Sequence, residues 1–217
     1  MQMPVFERYI DELIEKSTVE IPAWNIEKAK AGKAVGWNYI DGCMILALLE
    51  IYAATGERKY YDFADAFIDH RVREDGSIAG YSVEEYNLDN INAGKTLFLL
   101  YGLNGKEKYR RAIERIYSQV QNQPRTAEGN FWHKKIYPNQ VWLDGMYMAQ
   151  PFYMEYETKL HDRQNYRDIF GQFANVIRHM RDEKTGLYYH GYDASREIFW
   201  CNKETGLSEN FWLRALG

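Results

Sequence analysis

A chain of 217 residues with 46% apolar side chains and a net charge of −4 has enough material for a sizeable core, and one domain is the expectation. Its acidic balance lacks the basic footprint of a nucleic-acid binder, two cysteines are too few for a disulfide framework, and the longest apolar run, 44–49, is far short of a membrane span. Aromatic residues are dense, with 18 Tyr and 6 Trp, and many stand beside polar residues between the expected helices, a placement that suits rings meeting sugar faces.

Residues 5–17 read as a helix carrying Glu7, Arg8, Asp11, Glu12, Glu15 and Lys16, too charged for a signal peptide; with only two cysteines, the expected compartment is the cytoplasm. Gly36-Trp37-Asn38-Tyr39-Ile40-Asp41-Gly42 then opens a helix over 38–55 that is apolar on most sides. The turn Thr55-Gly56-Glu57-Arg58-Lys59-Tyr60-Tyr61 closes it and starts a charged amphipathic helix over 58–72. After a long loop, 73–88, Asn87-Leu88-Asp89-Asn90 leads into a helix over 90–102, and a second such turn with Tyr109 begins the helix 106–120. The loop 121–141 ends in Val141-Trp142-Leu143-Asp144-Gly145, which starts a helix over 143–158; a third turn, with Tyr166, leads to 164–181. A last loop, 182–207, precedes Phe211-Trp212-Leu213-Arg214 and a final helix start at 209–217.

No segment alternates with period two, so the class is all-α, with short strands confined to loops. The apolar helices read as inner and the charged ones as outer, and Tyr60, Tyr109 and Tyr166 mark a helical-hairpin repeat. Such alternation is that of an (α/α)6 toroid. The chain supplies an outer helix, three inner–outer pairs and the start of a fourth inner helix. Residues 1–217 are therefore expected to be a single (α/α) barrel domain truncated at its C-terminus, with self-association if apolar inner faces lie uncovered. The three long loops should emerge at one end, because structureless connections of that length need a function.

Four helix starts would thus deliver Trp, Asp and Arg to one rim. A carboxyl that gives up a proton near neutral pH must first hold it, and Asp144 is flanked by Trp142, Leu143 and Met146, which favour the neutral form. Asp89, at another inner-helix start, could share one proton with it. The plainer readings are a first-turn acid stabilised by the helix dipole for Asp144 and a helix cap for Asp89. Arg214 offers a planar fork for a carboxylate, or is a surface charge. Trp142 and Trp212 can stack on sugar rings; His133, Lys134 and His190 can hydrogen-bond hydroxyls or a carboxylate; Trp37 and Tyr39 enter from the first inner helix. Gly94-Lys95-Thr96 follows no strand and lacks the upstream glycine of a phosphate loop, and the chain has no His-Glu-x-x-His, Cys-x-x-Cys or Gly-x-Ser-x-Gly, so metal and serine chemistry are not expected.

Gln140-Val141-Trp142-Leu143-Asp144-Gly145-Met146-Tyr147-Met148 resembles the unsaturated glucuronyl and rhamnogalacturonyl hydrolases, glycoside hydrolase families 88 and 105, and family 105 most of all. His133-Lys134, Asn87-Leu88-Asp89 and Phe211-Trp212-Leu213-Arg214-Ala215-Leu216-Gly217 extend the resemblance over essentially the whole chain. It implies a glycosidase that removes a 4,5-unsaturated uronic acid from oligosaccharides left by polysaccharide lyases, as in pectin breakdown, without metal or organic cofactor. Asp144 and Asp89 would be catalytic, and Trp37, Tyr39, His133, Lys134, Trp142, Met146, His190, Trp212 and Arg214 would bind the substrate. Two other functions fit the residues: a sugar epimerase or isomerase on a similar toroid, with His133 and His190 as paired acid and base, and a non-catalytic carbohydrate-binding fragment.

Overall fold

The structure is a computed structural model that describes residues 5–33 and 35–216, the side chains of residues 5, 214 and 216 excepted. It is all-α, as expected, and its contacts divide it into two compact units: Met1–Tyr81 with Ala93–Ile113, and Ser82–Asn92 with Glu114–Gly217. Among the described residues no helix is long and apolar enough to cross a membrane.

The first unit contains α1 (Val5–Glu15), the short α2 (Ile26–Lys30), α3 (Tyr39–Thr55) and α4 (Arg58–Arg71). Next in the chain, α5 (Leu88–Asn92) belongs to the second unit, α6 (Lys95–Asn104) to the first, and α7 (Glu107–Asn122) begins in the first and ends in the second. In the first unit α3 packs against both α4 and α6, burying Ile45, Leu48 and Leu49. Asn38 caps α3 by accepting from the Asp41 N–H at 3.1 Å, and Gly56 ends it in the left-handed region (φ 74°), where its N–H donates to Tyr52 O at 2.8 Å. The two repeated tyrosines of this unit each tie one charged helix to the one before: Tyr60 Oη donates to Asp11 at 2.9 Å and Tyr109 Oη to Asp65 at 2.6 Å.

Arg71, 2% exposed, has no carboxylate as a direct hydrogen-bond partner among the described residues. Its guanidinium donates to the carbonyls of Val19, Val35, Gly36 and Phe67 and lies 3.5 Å over the Phe67 ring, which fixes the segment leading into α3. Gly80 rests on the same stretch; a Cβ there would come within 3.0 Å of Gly36 Cα and Trp37 N, and its φ of 79° suits glycine.

The second unit is organised by α8 (Leu143–Leu160), which follows the strand β1 (Gln140–Trp142) directly and packs against α5, α9 (Tyr166–Met180) and α10 (Leu213–Leu216). Strand β1 pairs antiparallel with β2 (Gly191–Asp193), Trp142 opposite Gly191. Val141, Met146, Val176, Met180 and Tyr192 form a buried cluster beneath this ribbon. The α8–α9 turn lacks the glycine of the other two: Asp162 and Arg163 take positive φ, and the fully buried Glu157 accepts from Asn165 N, Asn165 Nδ2, Tyr117 Oη and His161 Nδ1 at 2.8–3.0 Å.

Two elements depart from the sequence reading. The single helix expected over 90–102 is two, α5 and α6. Thr96 turns its N–H and hydroxyl onto Ala93 O, and Leu97 N–H donates to Gly94 O, so bonds of i to i+3 interrupt the ladder. The five-residue α2 is too short to show a helical period.

Candidate active site

The second unit gathers Asp89, His133, Lys134, Trp142, Asp144, His190 and Trp212 through main-chain hydrogen bonds between segments far apart in sequence. Leu88 N–H donates to His133 O and His133 N–H to Gln140 O; Leu143 N–H then donates to His190 O, and His190 N–H to Asn210 O. The start of α5, the loop at 133, the β1–α8 junction and the entry to α10 are thereby laced together. Three of the four expected helix starts, those of α5, α8 and α10, lie within this unit, and the fourth, that of α3, belongs to the first unit.

Asp89 sits in the first turn of α5 with 16% of its side chain exposed. Lys134 Nζ meets its Oδ2 at 2.7 Å and His133 Nε2 its Oδ1 at 3.3 Å. Burial pushes the Asp89 carboxyl up, but the His133 and Lys134 contacts outweigh it and bring it down to about 2. The structure departs from the expectation of a proton shared with Asp144: an Asp89 carboxylate paired with the Lys134 ammonium and contacted by the His133 ring is held ionised. His133 and Lys134, read from the sequence as hydrogen-bond partners for a substrate, both engage Asp89. A histidine 2% exposed and tied to Asp89 is poorly placed to act with His190 as a paired acid and base.

The His133 ring stacks on Trp142 (4.6 Å between centroids, 5° between planes), and Tyr137, which the sequence did not single out, lies parallel to Trp142 as well (5.4 Å, 7°). Gly145 lies against the same histidine: a Cβ at position 145 would come within 2.8 Å of His133 Nδ1. Asp144, half-buried, occupies the first turn of α8, where the helix dipole favours an anion, and its Oδ1 is shielded from solvent. The neighbouring Met146 is 8% exposed and packs in the core cluster; it does not line the cavity described next.

A cavity of about 620 Å³ opens beside this assembly, walled by Trp142, His190, Phe199, Trp200 and Trp212 with Ser208, Glu209 and Asn210. Trp212 is 46% exposed and stacks on His190 (4.7 Å, 24°), which is tilted against Trp142 (5.5 Å, 58°). Sequence reasoning missed Phe199 and Trp200; aromatic density in the loop 182–207 was their one signal. Trp37, which is buried, and Tyr39, which begins α3, belong to the first unit. The Arg214 side chain lies outside the described residues.

Comparison with known proteins gives these residues a context. Residues 9–217 match the family model of Glycosyl Hydrolase Family 88. A solved structure of a Glycoside Hydrolase Family 105 protein from C. acetobutylicum is 39% identical and superposes with a TM-score of 0.86, covering 98% of this chain and 56% of that one. A possible member of family 105 from Klebsiella pneumoniae, 21% identical, shares the fold at a TM-score of 0.67 over 76% of this chain and 43% of its own. Among curated proteins, Protein Atu3128 of Agrobacterium fabrum is 37% identical over 70 residues, 32% of this chain and 30% of that protein. The chain thus spans little more than half the length of the family 105 structure and less of the curated relative.

Proposed function

The chain belongs to Glycosyl Hydrolase Family 88, and on that premise we propose that the whole protein removes the 4,5-unsaturated uronic acid from the non-reducing end of lyase-generated oligosaccharides. The 1–217 chain is read as the N-terminal part of the (α/α)6 ring. Unsaturated galacturonyl-rhamnose is the proposed substrate, in keeping with the likeness to the family 105 structure. The reading places the reaction in the cytoplasm, with two cysteines in 217 residues as its support.

In this mechanism the Asp144 carboxyl gives its proton to C4 of the enol ether and water adds at C5, returning a proton to the carboxylate. The C5 hemiketal opens and releases the neighbouring sugar. Asp89, held ionised by Lys134 and His133, fixes the His133 ring beneath Trp142 and presents a carboxylate for a ring hydroxyl. Trp212, Trp142 and His190 supply the aromatic wall. Trp37, Tyr39, Met146 and Arg214 remain proposed substrate contacts on the resemblance alone, Arg214 as the fork for the uronate.

The observation that carries the reading is a shielded carboxyl oxygen of Asp144 in the first turn of α8, two residues after the cavity-lining Trp142 and in the same unit as the charged Asp89 cluster. Replacing Asp144 with Asn should lower the turnover of the full-length protein by about 10²- to 10⁴-fold, the usual contribution of a general acid or base. The decay of the ultraviolet absorbance of the C4=C5 bond reads it directly. A wild-type protein that leaves this absorbance unchanged with every lyase-generated oligosaccharide, or an Asp144→Asn protein as fast as wild type, refutes the proposal.

A further inference from the structure

We propose that the loop between β2 and Gly206 is a built platform for the neutral pyranose next to the uronate, with Phe199 and Trp200 as its stacking faces and Asp193 as its positioning residue. The inference rests on the hydrolase reading only for what is attached to that pyranose. Its structural argument is separate.

Phe199 is 89% exposed, far more than an aromatic side chain gains by being there for packing, and it lines the cavity beside Trp200 and Trp212. Exposure alone would mark only an apolar patch. What distinguishes this loop is the cost of holding it: Asp193, 1% exposed, spends both carboxylate oxygens inside the loop. It accepts from Ser195 N at 3.1 Å and Ser195 Oγ at 2.8 Å, and from Glu197 N and Ile198 N at 2.9 Å each, with Cys201 Sγ at 3.9 Å. A buried carboxylate that takes several backbone donors fixes the main chain immediately before Phe199. Lys203 closes the other side by donating to Glu197 O and Ile198 O at 2.8 and 2.7 Å. Trp200 is seated on β2, its Cη2 only 3.0 Å from where a Cβ of Gly191 would lie. The aromatic pair is therefore held in place from beneath, as a recognition surface requires.

The cavity chemistry selects the occupant. At about 620 Å³ it falls within the range of roughly 300–1,000 Å³ of small-molecule sites, and it sets three tryptophans and a phenylalanine against the polar Ser208, Glu209 and Asn210. A pyranose has this duality, with C–H groups on its faces and hydroxyls on its rim. A 6-deoxy sugar adds a methyl group for the aromatic wall.

The test uses the full-length protein and two independent readouts. Binding is followed by tryptophan fluorescence with the saturated disaccharide galacturonyl-rhamnose, which hydration cannot consume. Phe199→Ala, an exposed change that should leave folding intact, is expected to weaken binding about tenfold, the scale of one aromatic contact. Turnover is followed with the unsaturated disaccharide and with the unsaturated uronyl methyl glycoside, which lacks the second sugar. The kcat/KM preference for the disaccharide should fall about tenfold in Phe199→Ala, and Asp193→Asn should reproduce the fall through KM while kcat holds, a split that general loss of folding would not give. Equal disaccharide affinity in wild type and Phe199→Ala, or no measurable affinity in wild type, overturns the platform. Failure to turn over either unsaturated substrate, with the binding difference intact, refutes the hydrolase reading and supports the platform.

Discussion

Position 145 has room for no side chain. The His133 ring that a Cβ would strike at 2.8 Å is 2% exposed, stacked on Trp142 and tied to Asp89, so it cannot swing aside. Gly145→Ala should therefore cost about 1–3 kcal/mol, the range for overpacking, read as a lower thermal or urea midpoint. A variant that melts with wild type would show that the histidine has more freedom than its contacts imply. This constraint could not be read from Trp142-Leu143-Asp144-Gly145 in the sequence, where Gly145 looks like part of a motif; the atom it must avoid belongs to a loop residue twelve positions earlier. Asp89 makes the same point in charge. Its place at a helix start was legible, but the sequence left its protonation open, because His133 and Lys134 reach it only through the fold.

At the scale of elements, the periodicity of apolar residues located α3, α4, α7, α8 and α9 nearly to the residue, because a buried stripe at helical spacing is a local property. In α7 the buried positions Tyr109, Ala112, Ile113, Ile116, Tyr117 and Val120 follow that spacing throughout. The repeated tyrosine has a physical meaning that the repeat alone did not disclose: in the first unit it hydrogen-bonds the preceding charged helix. The third copy differs. Tyr166 Oη shares a hydrogen with Thr158 Oγ1 at 2.7 Å, and the turn is held by Glu157. Removing that carboxylate while keeping its shape, as Glu157→Gln, should cost about 1.5–3 kcal/mol, the scale of hydrogen bonds to a charged group. The loss should appear as faster hydrogen exchange at the amides of Arg163 and Asn165 as well as a lower midpoint. Protection unchanged at those amides would dismiss Glu157 as the anchor of the turn.

For the molecule as a whole, the acid limb of stability follows from carboxyls that the fold holds ionised. The folded pKa of Asp89, about 2, lies below its ordinary value of 3.8, so its contribution is present above about pH 4 and disappears as pH falls toward 2. Glu157, buried but held down by Asn165, Tyr117 and His161, acts in the same direction below its ordinary 4.5. Asp41 opposes them: burial raises its carboxyl despite the Trp24, Arg71 and Asn38 contacts, so its ionisation costs stability at neutral pH and the cost is relieved in acid. Urea titrations of wild type and Asp89→Asn should differ by on the order of 2 kcal/mol at pH 7 and converge near pH 2. A difference as large at pH 2.5 as at pH 7 would mean that Asp89 stabilises the fold by packing, not by charge.

The sequence by itself determined the helical class, the positions of the long helices, the loops that carry the polar and aromatic side chains, and the residues Asp89, Trp142, Asp144, His190 and Trp212 as candidates, because each is written within one turn or one period of the chain. Only the tertiary structure decided which of them meet. Main-chain bonds from Leu88 to His133 and from Leu143 to His190 join residues more than forty positions apart, and no local pattern encodes such a pairing. The fold likewise packs Met146 into the core with Val176, Met180 and Tyr192, sets Tyr137 against Trp142, and brings Phe199 and Trp200 to the cavity wall, where their neighbours, and not their spacing, define what they can bind.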